Sequence, residues 1–294
     1  MIFGPIVLFL VKRTPRLFAL TFNAIAILLA VFVLLGCYNS QQQSTFLSRL
    51  QFNAQSPLYT VIEKSLHERT NTTGFEQLRI KVGYLGVCLS NLPAAYPGGP
   101  VQCFGRKNIT GTPLYDALDL RVFNIPAAAN SSSHTDLNIL GLAHAAAADI
   151  DHPYIFMISI ILAILMFCIL LYVTVPMLPY KRPLNLALLG LSPLVVVFLA
   201  FGSMWTHVAC NAASAFIPPA SMGVIKVHRG RKATAMVWSC FVFVLLDCII
   251  IWAIYFRDQA RDKKSRGQAD YERYANSDYA KYAQSDRSTL GNKY

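Results

Sequence analysis

Four apolar stretches, residues 17–37, 153–175, 184–205 and 234–256, constrain this chain more than anything else in it. A helix rises about 1.5 Å per residue, so about 20 apolar residues match the roughly 30 Å hydrocarbon core of a bilayer. Each stretch reaches that length, and Asp247 is the one charged residue inside them. The chain therefore reads as an all-α membrane protein, a four-helix transmembrane bundle. Its composition agrees, because only 14% of the residues are charged, against about 25% in a soluble domain. The opening run from Ile2 to Val11 is too short to span, and Lys12, Arg13 and Arg16 follow it instead of preceding it. That is the reverse of a signal peptide, so the first span reads as an uncleaved signal anchor.

The loops assign the sides. Three Asn-x-Ser/Thr acceptor sites, Asn71, Asn108 and Asn130, all fall in the one long loop, residues 38–152. That clustering places the loop outside as a glycosylated domain. The N-terminal stretch 1–16, the turn 176–183 and the tail 257–294 are then cytoplasmic, and 206–233 forms a second outer loop. The net charge of +11 mostly follows this topology: the long loop is neutral, and Arg257, Arg261, Lys263, Lys264 and Arg266 crowd directly behind the fourth span. Anionic cytoplasmic lipids attract such residues by about 1 kcal/mol each. Lys226, Arg229, Arg231 and Lys232 break the rule by standing in the second outer loop. They are either a local exception or a basic surface for anionic headgroups, wall polymer or a partner loop.

Of seven cysteines, Cys168, Cys240 and Cys248 lie inside spans, where cysteine packs as a small apolar residue. Cys88 and Cys103 lie in the outer loop, beside the strand-like stretches 79–89 and 101–105, with Pro93, Pro97, Gly98, Gly99 and Pro100 supplying a turn. They are expected to form a disulfide across a small β-sheet, and a closed loop of about 15 residues is worth roughly 3 kcal/mol. Spacing leaves open whether Cys37 and Cys210, near the outer ends of two spans, form a second bridge.

The segment Gly83-Tyr84-Leu85-Gly86-Val87-Cys88, followed by Cys103, resembles the signature of the fungal mating-induced, Fig-type calcium regulators and membrane fusion proteins, relatives of the claudin-like four-span superfamily. With the four spans, the large first loop and the short inner turn, the resemblance covers roughly residues 17–256. It implies a multi-pass plasma-membrane protein in which Gly83, Gly86, Cys88 and Cys103 form a disulfide-pinned strand pair on the outer face. Glycine at 83 and 86 lets that strand bend or approach another backbone closely. The resemblance also implies support of low-affinity calcium influx and membrane fusion during mating or polarised growth. The alternative is a claudin-like or eisosome-type membrane-domain scaffold that moves no ion. Tyr84 stands near where the claudin pattern has a tryptophan.

No catalytic constellation is present: there is no Gly-rich phosphate loop, no His-Glu-x-x-His and no Gly-x-Ser-x-Gly. An enzyme is not expected. His67, His134, His144 and His152 lack metal-ligand spacing, so no metal site is assigned. Asp116, Asp119, Asp136, Asp149 and Asp151 follow no EF-hand pattern, so regulation of calcium entry is expected before a built-in selectivity filter. Calcium is then a transported or regulatory ion, with no cofactor. Expected partners are membrane lipids, some anionic, further copies of the chain or calcium-channel components; nucleic acid is not one. Asp247 needs a partner within the bundle or a proton, and Asn23 and Ser192 are the candidate partners. Residues 138–150 read as a short Ala-rich helix leading into the second span. The tail writes an eight-residue unit twice, from Tyr271 and from Tyr279, with Ser277 and Ser285 each preceding Asp. Its low apolar content predicts disorder or a transient helix, open to phosphorylation or docking.

Overall fold

A computed structural model describes residues 3–68, 74–93, 96, 99–112, 114–115, 119–123, 135–147, 153–175 and 179–290. In chain order the elements are α1 (Phe3–Leu34), β1 (Ser48–Phe52), α2 (Tyr59–Glu68), β2 (Arg79–Val82), β3 (Gly86–Ser90), β4 (Val101–Gly105), β5 (Asp119–Phe123), β6 (Thr135–Asn138), α3 (Ile139–Ala145), α4 (Tyr154–Thr174), α5 (Lys181–Ala220), β7 (Ile225–Arg229) and α6 (Arg231–Leu290). Helices α1, α4, α5 and α6 are long and apolar enough to cross a membrane.

These four helices close a ring: α1 packs on α4 and α6, and α5 packs on the same two. Lipid is as apolar as leucine, so burial from water does not drive the helices together; close backbone approach does. Ala19, Ala26 and Ala30 on α1 and Ala163 on α4 accordingly line the contacts, while Phe32, Ile161, Phe201 and Ile249 point outward. The bundle is inside-out, with large apolar side chains on its surface.

At one end, called here the sheet side, sits a five-stranded antiparallel sheet of order β4-β3-β2-β1-β7. Strand β1 alternates buried and half-buried residues, as a sheet with one covered face requires. Leu50, Ile80, Val82, Leu89, Ile225 and Val227 form the covered face, packed with Ile62 and Leu66 of α2 and Ile139 and Leu140 of α3. Asn138 caps α3, its side-chain oxygen accepting from the amides of Leu140 and Gly141. β5 and β6 pair as a separate hairpin.

The structure revises the sequence reading in two places and decides two alternatives that the sequence leaves open. Residues 79–89 are two strands and a tight turn at 83–85, not one bent strand. Residues 206–233 are not a free loop: α5 continues through Ala220, and β7 then joins the sheet beside β1 with Phe52 opposite Ile225 and Ser48 opposite Arg229. Helix α6 continues past the fourth span to Leu290; the tail has no proline after residue 256 and is rich in Ala, Lys, Arg and Gln, all good helix formers. Finally, Cys37 and Cys210 are both thiols. The Cys37 Sγ faces the carbonyl of Thr45 and the Cys210 Sγ that of Leu47, so the two do not bridge.

Candidate functional site

The residues of the 83–103 motif meet at the seam between sheet and bundle. The Gly83 amide donates to the Gly86 carbonyl at 2.9 Å and closes the turn between β2 and β3. Directly against that turn runs the chain leaving α1. A Cβ at Gly83 would collide with the carbonyl oxygen of Gly36, and one at Gly86 with that of Cys37. Both positions therefore require glycine for close approach, with nothing but backbone between the hairpin and the end of α1. Cys88 pairs with Cys103 across β3 and β4 and is joined to it by a disulfide. Its Sγ also lies 3.3 Å from the Cys37 carbonyl, so the bridge rests on the same segment as the two glycines.

Tyr84 fastens the turn to the helices. Only 2% exposed, it leaves the sheet and stacks on Phe156 of α4, with ring centroids 5.4 Å apart and planes 9° from parallel. Its hydroxyl bonds to Thr206 of α5. The Thr206 hydroxyl proton is already given to the Gly202 carbonyl at 2.7 Å, so Tyr84 donates and Thr206 accepts. Phe156 in turn lies over Gly202, where a Cβ would come within 3.5 Å of its ring. Leu47 completes the seam by main-chain bonds: its amide donates to the Val82 carbonyl and its carbonyl accepts from Gly230, the residue before α6, both at 2.8 Å. One short hairpin thus touches the end of α1, α4 and α5 directly and is tied through Leu47 to the residue before α6.

Asp247 lies deep in the bundle, fully buried, and takes the first of its two expected partners: Asn23 Nδ2 of α1 donates to Asp247 Oδ2 at 3.0 Å. The other oxygens of this pair, Asn23 Oδ1 and Asp247 Oδ1, are buried without a hydrogen-bond partner. Ser192 instead accepts from the Cys248 thiol at 3.5 Å, and the Cys240 thiol reaches the Ala26 carbonyl at 3.2 Å. Toward the sheet from this pair, a small void between the helices is lined by Ala26, Ala30, Ala163, Val195, Leu199 and Val244. At the tail side, Arg16 of α1 pairs with Asp258 of α6 at 3.1 Å.

The remaining expected residues are scattered. Asn108 is exposed beside β4; Asn71 and Asn130 lie outside the described residues, as do His134, His152, Asp116, Asp149 and Asp151. Among the described residues no group of three or more His, Cys, Asp or Glu is placed to hold a metal ion. In the sequence Tyr84 stands out only as the counterpart of a tryptophan, and neither Gly36 nor β7 belongs to a motif. A signal for the strand was present, since Ile225-Lys226-Val227-His228 alternates apolar and polar with period two.

A family model described as "Ca2+ regulator and membrane fusion protein Fig1" matches residues 65–257, which takes in the motif, β7 and three of the four spanning helices. The chain is 45% identical over 262 residues to the factor-induced gene 1 protein of Saccharomyces cerevisiae, covering 85% of this chain and 87% of the yeast protein. No solved structure matches the chain.

Proposed function

The chain belongs to the Fig1 family of Ca2+ regulators and membrane fusion proteins, and from that premise we propose that it supports low-affinity calcium influx and membrane fusion during mating or polarised growth. It does so in the plasma membrane, with the sheet side outside and both termini in the cytoplasm. Two further features support this orientation: Asn108 is exposed on the sheet side, and the basic run that follows the fourth span lies on the tail side.

The observation that carries the mechanism is the seating of the 83–88 hairpin. Its backbone lies on the end of α1, and Tyr84 is clamped between α4 and α5. A force or ligand acting on the outer sheet therefore reaches the spanning helices through rigid contacts, without a flexible linker between them. The midline supports a regulatory role over a conducting one, because the void there is apolar and the one buried acid already holds an amide. The chain acts on calcium entry together with a calcium-channel component or further copies of itself, and calcium is the transported or regulatory ion.

The test compares two measurements. Deletion of the gene should abolish pheromone-stimulated calcium uptake and impair cell fusion, while the purified chain alone in vesicles should pass little calcium. Robust flux through the purified chain would make it the conduit. Uptake and fusion that stay intact, with dispersal of a membrane domain, would identify a scaffold instead.

A further inference from the structure

The sheet has a second face, opposite the one that packs on α2 and α3, and its residues follow from the strand register. Arg49 of β1 stands directly between Lys81 of β2 and His228 of β7; two residues along the strands, Gln51 stands between Arg79 and Lys226. Neighbouring strands are about 4.8 Å apart and alternate residues about 7 Å, so five basic side chains share a patch of roughly 10 by 7 Å. Arg79 and Lys226 are exposed and the other three half-buried. Lys81, nearest β3, already meets Gln43 Oε1 at 3.0 Å and lies over the Phe46 ring; Arg49, Arg79, Lys226 and His228 form the open part.

No carboxylate offsets this charge among the described residues. The two ion pairs found there are both at the tail end of the bundle, between Arg16, Arg257 and Asp258. Burial first, and then the charges of Arg49, Lys226 and Arg79, hold His228 below its ordinary pKa. Burial and then Arg79 do the same to Arg49. Arg49 Nε is moreover buried with no hydrogen-bond partner. A fold that keeps such a cluster, with a buried donor unused, is arranged for an anion.

We propose that this face binds an extended phosphate-bearing glycan lying across β2, β1 and β7, with one phosphate at each row of basic side chains. Guanidinium groups at Arg49 and Arg79 match phosphate oxygens in paired fashion. Height selects the source. His228 lies three residues before Arg231, where α6 begins, so at about 3.4 Å per residue the lower row stands up to about 10 Å along the chain from that helix start and the upper row up to about 17 Å. With α6 read as a span whose apolar stretch starts at residue 234, the phosphates of the chain's own leaflet would lie lower, near Arg231 and Lys232, both exposed. The open part of the face, Arg49, Gln51, Arg79, Lys226 and His228, holds no Phe, Tyr or Trp to form a stacking platform for successive nucleobases. The proposal rests on the reading of the sheet side as external, but its binding assay does not depend on sidedness, so either can fail without the other.

The experiment uses the full chain in nanodiscs of neutral lipid, with phosphorylated dextran as probe and unmodified dextran as control. The expected result is salt-sensitive binding of phosphorylated dextran only, weakened about tenfold or more by Arg79→Glu with Lys226→Glu. Both side chains are exposed, and Arg79→Gln with Lys226→Gln should weaken binding by a smaller factor at unchanged thermal stability. Undiminished binding in both double variants overturns the proposal. So does wild-type protein that ignores phosphorylated dextran but binds phosphatidylserine vesicles, which would make the occupant a lipid, or that binds polyglutamate equally well.

Discussion

The seam under the sheet and the middle of the bundle are held together in opposite ways. At the seam, main chain touches main chain: Gly83 and Gly86 lie on the carbonyls of Gly36 and Cys37, and Leu47 bonds to both Val82 and Gly230. In the bundle, alanines and branched aliphatics make most of the contact, and the fully buried polar clasp is Asn23 to Asp247. Backbone contacts at fixed hydrogen-bonding distance tolerate almost no displacement, whereas apolar helix faces can slide with small loss. The seam is thus the rigid coupling and the bundle the part free to respond. Substitutions at the seam should cost stability first; those in the bundle should change calcium entry at normal abundance.

Tyr84 is where this contrast should be widest. Tyr84→Ala removes a buried ring stacked on Phe156 and the bond that Thr206 accepts, and cavities of that kind cost about 3–5 kcal/mol. The purified variant should melt well below wild type, and surface abundance should fall with it. Tyr84→Phe keeps the stack and loses one hydrogen bond, a cost of about 1 kcal/mol. A Phe variant as unstable as the Ala variant would mean that the hydroxyl, and not the packing, fastens the hairpin.

Cys88→Ser and Cys103→Ser come next. Opening a loop of about 15 residues costs roughly 3 kcal/mol, and because one bond is lost in either case, the single and double variants should melt alike. Unequal melting would assign Cys88 a separate role through its contact with the Cys37 carbonyl. Gly86→Ala should cost about 1–3 kcal/mol by overpacking against that same carbonyl, whereas Ala at Gly105, where a Cβ meets nothing within 4 Å, should be neutral in the same melting experiment.

The two regions also differ in how far the sequence disclosed them. Spans are legible because length and apolarity are local properties, and the four helices fall within a few residues of the expected starts. The Cys88–Cys103 bridge was legible from spacing and turn residues. The seam was not, because it depends on which main-chain atoms come together over distance. Gly36 falls inside the apolar stretch 17–37 and reads as part of the span, although α1 ends at Leu34 and a Cβ at Gly36 would strike the Thr45 carbonyl. Strand β7 was hidden for the same reason: five residues after a helix form no sheet alone, and their partner β1 lies about 175 residues earlier in the chain. The basic residues that broke the charge rule were the trace of that strand. Lys226 and His228 belong to the open sheet face, Arg229 holds Asn211 of α5, and only Arg231 and Lys232 stand at the start of a span.

Inside the bundle the expected effect is smaller in energy and larger in function. Interhelical polar contacts in membranes average about 0.6 kcal/mol, so Asp247→Ala should leave folding and surface abundance near wild type. It nevertheless removes the one polar contact between Asn23 and α6, and calcium uptake should drop. Normal uptake at normal abundance would show that the clasp only packs the helices and would return the control of calcium entry to the seam.

The smallest effect expected belongs to His228, and it separates the open sheet face from everything below it. Burial and the neighbouring Arg49, Lys226 and Arg79 lower its pKa in the folded chain, while in the unfolded chain it titrates near 6.5. As pH falls through 6.5 the unfolded chain takes up a proton that the folded chain still refuses, so stability decreases with falling pH across the interval between the two values. His228→Gln should flatten the melting temperature in that interval and leave it unchanged above pH 7.5, where the histidine is neutral in both states. A bound anion would raise the folded value and shrink the same slope, so repeating the wild-type titration with phosphorylated dextran reads occupancy of the basic face directly. A slope that dextran phosphate leaves unaltered, in protein that demonstrably binds it, would place the ligand away from β7.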